Sequence, residues 1–273
     1  MLRRLLAVFM TLMLLFLTAS ALADAPVRGW DKDDGYQYVL AGSYPYEKDG
    51  TEAPVLWRVL EVKDGKALMI TEYTIDLLQP ILVETKAEYQ AEQKRKPKKY
   101  RPDAIDETLI PVWLGETLWP RLIGDDPIGE AFVGGGDSEI FNRLFILSTE
   151  DWTRWEDFGV HKTASDMPNK ARIAYVTPYC AAQKMYSWST RISTSEVFKK
   201  TGVNYTGSGY WVATFRPNVG WMQIVGINGH LSWASVTRAN VGVRPAAMLD
   251  LSMVDILSGS GTQKDPFVLA AAE

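Results

Sequence analysis

The chain has 273 residues, 47% of them apolar and 10 of them Trp, with 29 Lys and Arg against 33 Asp and Glu. Such a length can bury a core without covalent staples, and a net charge of −4 lacks the basic excess of a nucleic-acid binder. A lone cysteine, Cys180, excludes an intrachain disulfide and a cysteine-based zinc site.

Residues 1–23 read as a secretory signal peptide. Arg3 and Arg4 form the positive n-region, Leu5 to Leu17 is apolar except for Thr11, and Ala21-Leu22-Ala23 is a small-x-small cleavage site. The run is shorter than the about 20 residues a membrane span needs. Polar Asp24 and then Ala25-Pro26 follow it directly. No Cys at the cleavage point offers a lipid attachment site, and no later apolar run is long enough to span. The expectation is a secreted or envelope-associated domain over residues 24–273, with no stable membrane insertion after cleavage. Removing 23 residues leaves 250, carrying 27 basic and 33 acidic side chains.

From Tyr36 the pattern predicts a β-meander. Tyr36–Leu40, Val55–Val62 and Ala67–Thr71 are apolar runs, the last two joined by Lys63-Asp64-Gly65-Lys66. Asp-Gly between apolar runs marks a hairpin, because both central residues of that turn need positive φ. Between Gln79 and Asp106 the character changes. Glu84, Glu88 and Glu92 recur at helical spacing before the basic stretch Lys94 to Lys99, which predicts a surface helix and basic loop inserted over about 79–107. Thr108 to Ile123 is apolar, carries Trp113 and Trp119, and reads as helix between Pro111 and Pro120. Asp33-Asp34 and Asp125-Asp126 stand in polar, turn-like contexts without calcium-loop spacing.

Phe145-Ile146-Leu147 reads as a buried strand, after which Ser148 and Asp151 can cap a helix start reciprocally. Thr177 is a second N-cap, with Pro178 at the first helical position, and the helix to Met185 puts Cys180 on its inner face as a small hydrophobe. The C-terminal part reads as strands: Gly209 to Phe215, Trp221 to Ile227, His230 to Val236 across the turn Asn228-Gly229, Val241 to Arg244, and Pro266 to Leu269. Strands at both ends with helices between them predict an α+β domain whose termini lie close together.

The ordered set Trp57-Arg58-Val59-Leu60, Ala67 to Thr71, Phe145 to Glu150, Arg172-Ile173-Ala174, Thr177-Pro178-Tyr179, Tyr210-Trp211 and Gly242-Val243-Arg244-Pro245-Ala246 resembles a bacterial family catalogued as domain of unknown function 6273. The resemblance runs from about Tyr36 to Leu269. That family is similar to C-type-lectin-like domains, a group that includes formylglycine-generating enzymes. The resemblance therefore implies a C-type-lectin-like fold: a twisted antiparallel sheet with two or more helices, here with an enlarged helical insertion. Where the family continues Tyr-Trp with Leu-Arg-Ser, this chain has Val212-Ala213-Thr214. The late cysteine pair of the formylglycine-generating enzymes has no counterpart either.

The residues name no reaction. His161 and His230 are far apart, and no Gly-x-Ser-x-Gly elbow occurs. Neither a metal nor another cofactor is expected. Carboxylates are plentiful enough for a hydrolase that needs two across a cleft. The stronger signal is aromatic: Trp211, Trp221 and Trp233 on the C-terminal strands, with Arg216, Asn218 and Asn240 as polar neighbours, suit a sugar ring or peptide. The expected function is a non-catalytic binding module for a glycan, peptide or surface protein. The alternatives are an envelope hydrolase using a carboxylate pair and a structural domain of a surface assembly.

Overall fold

The computed structural model describes residues 36–81, 102, 104–134, 143–153, 170–183, 207–216, 219–226 and 229–272. The chain opens with strands β1 (Gln37–Pro45), β2 (Glu52–Lys63) and β3 (Lys66–Thr71), then the short β4 (Tyr73–Thr74) and β5 (Asp76–Leu77). A helix, α1, runs through Ile110–Val112, Trp113–Leu118 and Trp119–Leu122. It is followed by β6 (Phe132–Val133), β7 (Leu144–Phe145), α2 (Thr149–Thr153), β8 (Ala174–Val176) and α3 (Pro178–Ala182). The last third is β9 (Gly207–Ser208), β10 (Tyr210–Arg216), β11 (Trp221–Val225), β12 (Leu231–Ser235), β13 (Gly242–Val243), β14 (Ala246–Asp250), β15 (Val254–Ser258) and β16 (Phe267–Ala271). This is a sheet-rich α+β chain with few, short helices.

The large sheet has the order β15-β16-β1-β2-β3-β14-β6, with β7 also on β14. All its pairings are antiparallel except β1 with β16, which lie parallel. The first and last strands are therefore neighbours, as the sequence led us to expect. A second sheet, β12-β11-β10-β13-β5, and a small one, β4-β8-β9, complete the fold.

Local chemistry set several of these elements. Asp64 (φ 52°) and Gly65 (φ 71°) are both left-handed, as the tight β2–β3 turn requires. The Ser148 N–H donates to Asp151 Oδ2 at 2.8 Å, and the Asp151 N–H donates to Ser148 Oγ at 3.1 Å, the reciprocal cap of α2. Thr177 Oγ1 accepts the Cys180 N–H at 3.2 Å and so starts α3, which ends at Ala182 rather than Met185.

Helix α1 departs from plain α geometry. Its middle, Trp113–Leu118, is a π-helix. Two sequence features favour this. Pro120 inside the helix would clash with a carbonyl four residues back, and a wider turn relieves that clash. The buried residues Ile110, Leu114, Leu118 and Leu122 recur every four positions, which wider turns hold on one face better than 3.6-residue turns do. Against this helix β1 bulges at Gly42 (φ 73°), where a Cβ would come within 2.6 Å of the Leu122 carbonyl oxygen.

Period-two alternation divides the interior into two cores. Val39, Trp57, Val59, Met69, Ala247 and Leu249 join α1 and the Trp211, Met222 and Ile224 side of the second sheet. Tyr38, Leu60, Ile70 and Ala246 lie in the other core, with Tyr210, Val212, Val225 and Leu231. The glutamate-spaced helix and basic loop expected within 79–107 fall mostly outside the described residues.

Candidate functional site

A centre of charge with fully buried side chains lies beside the second core. Arg58 projects from β2, Glu72 follows β3, and Arg244 lies between β13 and β14. Arg58 donates from Nε to Glu72 Oε2 at 2.8 Å and from Nη2 to Oε1 at 2.6 Å, with Nη1 on the Ala171 carbonyl at 3.1 Å. Arg244 donates from Nε to the Thr71 carbonyl at 2.5 Å and faces Glu72 Oε2 with Nη2 at 3.7 Å. The side chains of Arg58, Glu72 and Arg244 are fully buried, and Arg244 Nη2 has no hydrogen-bond acceptor among the described residues.

Tyr210 closes the arrangement. Its hydroxyl donates to the Arg172 carbonyl at 2.6 Å and receives Arg244 Nη1 at 3.4 Å, while Arg172 Nε bonds the Gly229 carbonyl at 2.8 Å. Burial works against the Arg58 charge, but Glu72 and the Tyr38 and Tyr36 rings outweigh it and hold the guanidinium firmly protonated. Burial also raises the Tyr210 phenol, against the nearby arginines.

Each of Trp57-Arg58-Val59-Leu60, Arg172-Ile173-Ala174, Tyr210-Trp211 and Gly242-Val243-Arg244-Pro245-Ala246 contributes one member of this centre. The motifs legible in the sequence thus tie β2, β10, the segment before β8 and the β13–β14 connection together inside the protein. Their role is framework.

The surface tells a different story for the aromatic residues. Trp211 is 1% exposed and its Nε1 donates to the Leu78 carbonyl at 2.8 Å. That corrects its expected place in a ligand site: it faces the α1 core together with Met222 and Ile224. Trp221, on the opposite face of the same sheet, is 43% exposed. It pairs directly with exposed Arg216 on β10 and with Ser235 on β12. Half-buried Trp233 pairs with Gln223, one step along the same face and diagonal to Trp221. Gln223 Oε1 accepts the Thr149 hydroxyl, and the Thr149 N–H donates to Thr214 Oγ1 at 2.8 Å, so the start of α2 walls this face.

Of the remaining candidates, Asn240 does not join that row. Asn218 lies outside the described residues. Asn240 is half-buried before β13, whose Gly242 pairs with Tyr210, at the end of β10 away from Arg216. The Gly226 N–H bonds the His230 carbonyl at 2.7 Å across the β11–β12 connection, and Asn228 of the expected turn lies outside the described residues. The His230 ring packs on Gly226, where a Cβ would meet it at 2.2 Å.

Sequence reading missed one further polar cluster. Asp76 takes the Tyr44 hydroxyl on Oδ2 at 2.5 Å, and the Leu77 N–H and Gln183 Nε2 on Oδ1 at 2.8 and 3.0 Å. Burial, with Asp76 second, raises the Tyr44 phenol, and burial raises the Cys180 thiol. Nothing there is poised as a nucleophile with a base. Among the described residues no three His, Cys, Asp or Glu side chains gather as a metal site, and no helix is long and apolar enough to cross a membrane. Comparison of the chain with protein-family models, curated proteins and solved structures finds no match in any of the three.

Proposed function

We propose that this chain is an exported, non-catalytic binding module of C-type-lectin-like fold, which takes a glycan or peptide at the cell surface or envelope on the face bearing Trp221 and Trp233. The observation that carries the reading is the row Arg216–Trp221–Ser235, with Trp233 diagonal to it, on three adjacent strands held rigid by pairing. An indole left 43% in water on this face offers apolar surface that a ligand ring would cover. The three hydrogen bonds accepted by Asp76 and the enclosure of Glu72 take both carboxylates out of use as a hydrolytic pair and so favour binding. The placement of the family-like motifs at framework positions supports the lectin-like reading of the fold.

The test is a screen of glycans, wall fragments and peptides against the mature domain and its Trp221→Ala variant. Trp221→Ala should keep the wild-type melting temperature within a few degrees, because its side chain closes no core, and should lose binding at least tenfold. A folded Trp221→Ala protein that binds as tightly as wild type would refute the assignment.

A further inference from the structure

Resting on that reading, we infer that the ligand is an acidic saccharide, in which a carboxylate-bearing sugar sets its ring on Trp221 and its carboxylate on Arg216. The register places Arg216 and Trp221 directly opposite each other across the β10–β11 pair, so their side chains leave the same face with Cβ atoms about 5 Å apart. Arg216 is exposed and makes no ion pair or cation–π contact with any described residue. Its guanidinium is not folded down onto the neighbouring indole, and both groups stand open together.

Among the described residues no carboxylate pairs with Arg216. Asp151, at the start of the helix that walls this face, has its carboxylate on the Ser148 N–H and hydroxyl. The protein as a whole carries a net charge of −4, so a cation without an ion pair among the described residues, beside an exposed indole, runs against the overall charge. On the other side of Trp221 stands Ser235, whose hydroxyl lies 2.8 Å from that of Thr237. Cation, indole and hydroxyl therefore form a line about 10 Å across three strands. That order matches a sugar's own chemistry: a carboxylate for the planar guanidinium fork, an apolar ring face for the indole, and ring hydroxyls for the serine. An acidic peptide would satisfy the guanidinium but has no need of an exposed ring flanked by hydroxyls.

The experiment uses the mature protein and matched probes: short galacturonate, glucuronate and mannuronate oligosaccharides, each beside its methyl ester, which keeps the ring and removes the charge. At least one acid should bind about tenfold more tightly than its ester at low salt, the effect of one charge-assisted contact, and 0.5 M NaCl should erase most of that preference. Arg216→Gln should abolish the preference with the melting temperature unchanged, whereas Arg216→Lys should keep part of it. Equal binding of acid and ester, unaffected by Arg216→Gln but lost in Trp221→Ala, would overturn the acidic-sugar inference and leave the binding module standing. Arg216-dependent capture of a poly-glutamate peptide without any saccharide binding would overturn it too. Failure of every saccharide and peptide, charged or neutral, would bring down both readings.

Discussion

Replacing Glu72 by Gln keeps the shape of the buried centre and removes its one negative charge. Wild-type Glu72 receives two charge-assisted bonds from Arg58, at 2.8 and 2.6 Å, and faces Arg244 at 3.7 Å, with all three side chains fully buried. Glu72→Gln therefore encloses two guanidinium groups without a counter-ion, a situation that costs about 3–5 kcal/mol. For a domain of this size each kcal/mol moves the melting temperature by about 2–4 °C, so the fall should be roughly 6–20 °C. Against a total stability of about 5–15 kcal/mol the variant should still fold in the cold, which lets urea unfolding measure it.

Arg244→Met probes the same centre from the other side. It removes the loosely held cation and leaves Arg58 and Glu72 as a neutral pair, losing chiefly the bond to the Thr71 carbonyl, about 1–3 kcal/mol. Combining the two substitutions strands one guanidinium rather than two, and the double variant should be more stable than additivity predicts by over about 1 kcal/mol. Additive costs, or a Glu72→Gln variant within about 1 kcal/mol of wild type, would refute the claim that this carboxylate holds both arginines.

Other expectations follow from the packing and the titrating groups. Trp211→Ala should lose about 3–5 kcal/mol in urea unfolding, the cost of a core cavity, in contrast to the mild effect of Trp221→Ala. Gly42→Ala should cost on the order of 2–4 kcal/mol, since it combines positive φ with a Cβ 2.6 Å from the Leu122 carbonyl oxygen; a neutral result would mean that β1 and α1 can separate freely. Burial raises the pKa of Cys180, Tyr44 and Tyr210, and burial with Tyr46 pushes Tyr73 up to about 12. The unfolded chain releases these protons from about pH 8.5 to 10 while the folded one keeps them, so stability should be full below pH 8 and fall above it. Urea midpoints between pH 7 and 10.5 check this, and a flat profile would contradict it. The Cys180 thiol should react with an aromatic disulfide reagent only as fast as the domain unfolds, read by absorbance with and without urea.

What was legible in the sequence was local. Asp64-Gly65, the Ser148–Asp151 cap and the Thr177-Pro178 start each depend on residues within a few positions, and each appears where its chemistry placed it. The Trp-rich helix was visible too, but its π turns depend on how Pro120 and a four-residue repeat share one buried face. The tryptophans show what local reading cannot reach. Trp211 and Trp221 look alike on neighbouring strands, yet a register shift between Trp211 and Phe215 helps decide which one enters the core and which one meets water. The arginines are a stronger case, because Arg58 and Arg172 look like surface residues in any window. Their burial becomes intelligible only when Glu72, Ala171 and Gly229 are brought beside them by the fold.

The parallel pairing of β1 with β16 has a consequence for how the chain must fold. The large sheet draws its strands from both ends of the sequence: β1, β2 and β3 come from the first third, and β14, β15 and β16 from the last 28 residues. Until those strands emerge, the β1–β3 meander has two open edges and an uncovered apolar face. Closure requires contacts across more than 200 residues, such as Val39 with Phe267, which places this protein among slow, topology-limited folders. It also makes the C-terminal strands the clasp that completes the fold, so a chain released without them would expose strand edges open to intermolecular pairing.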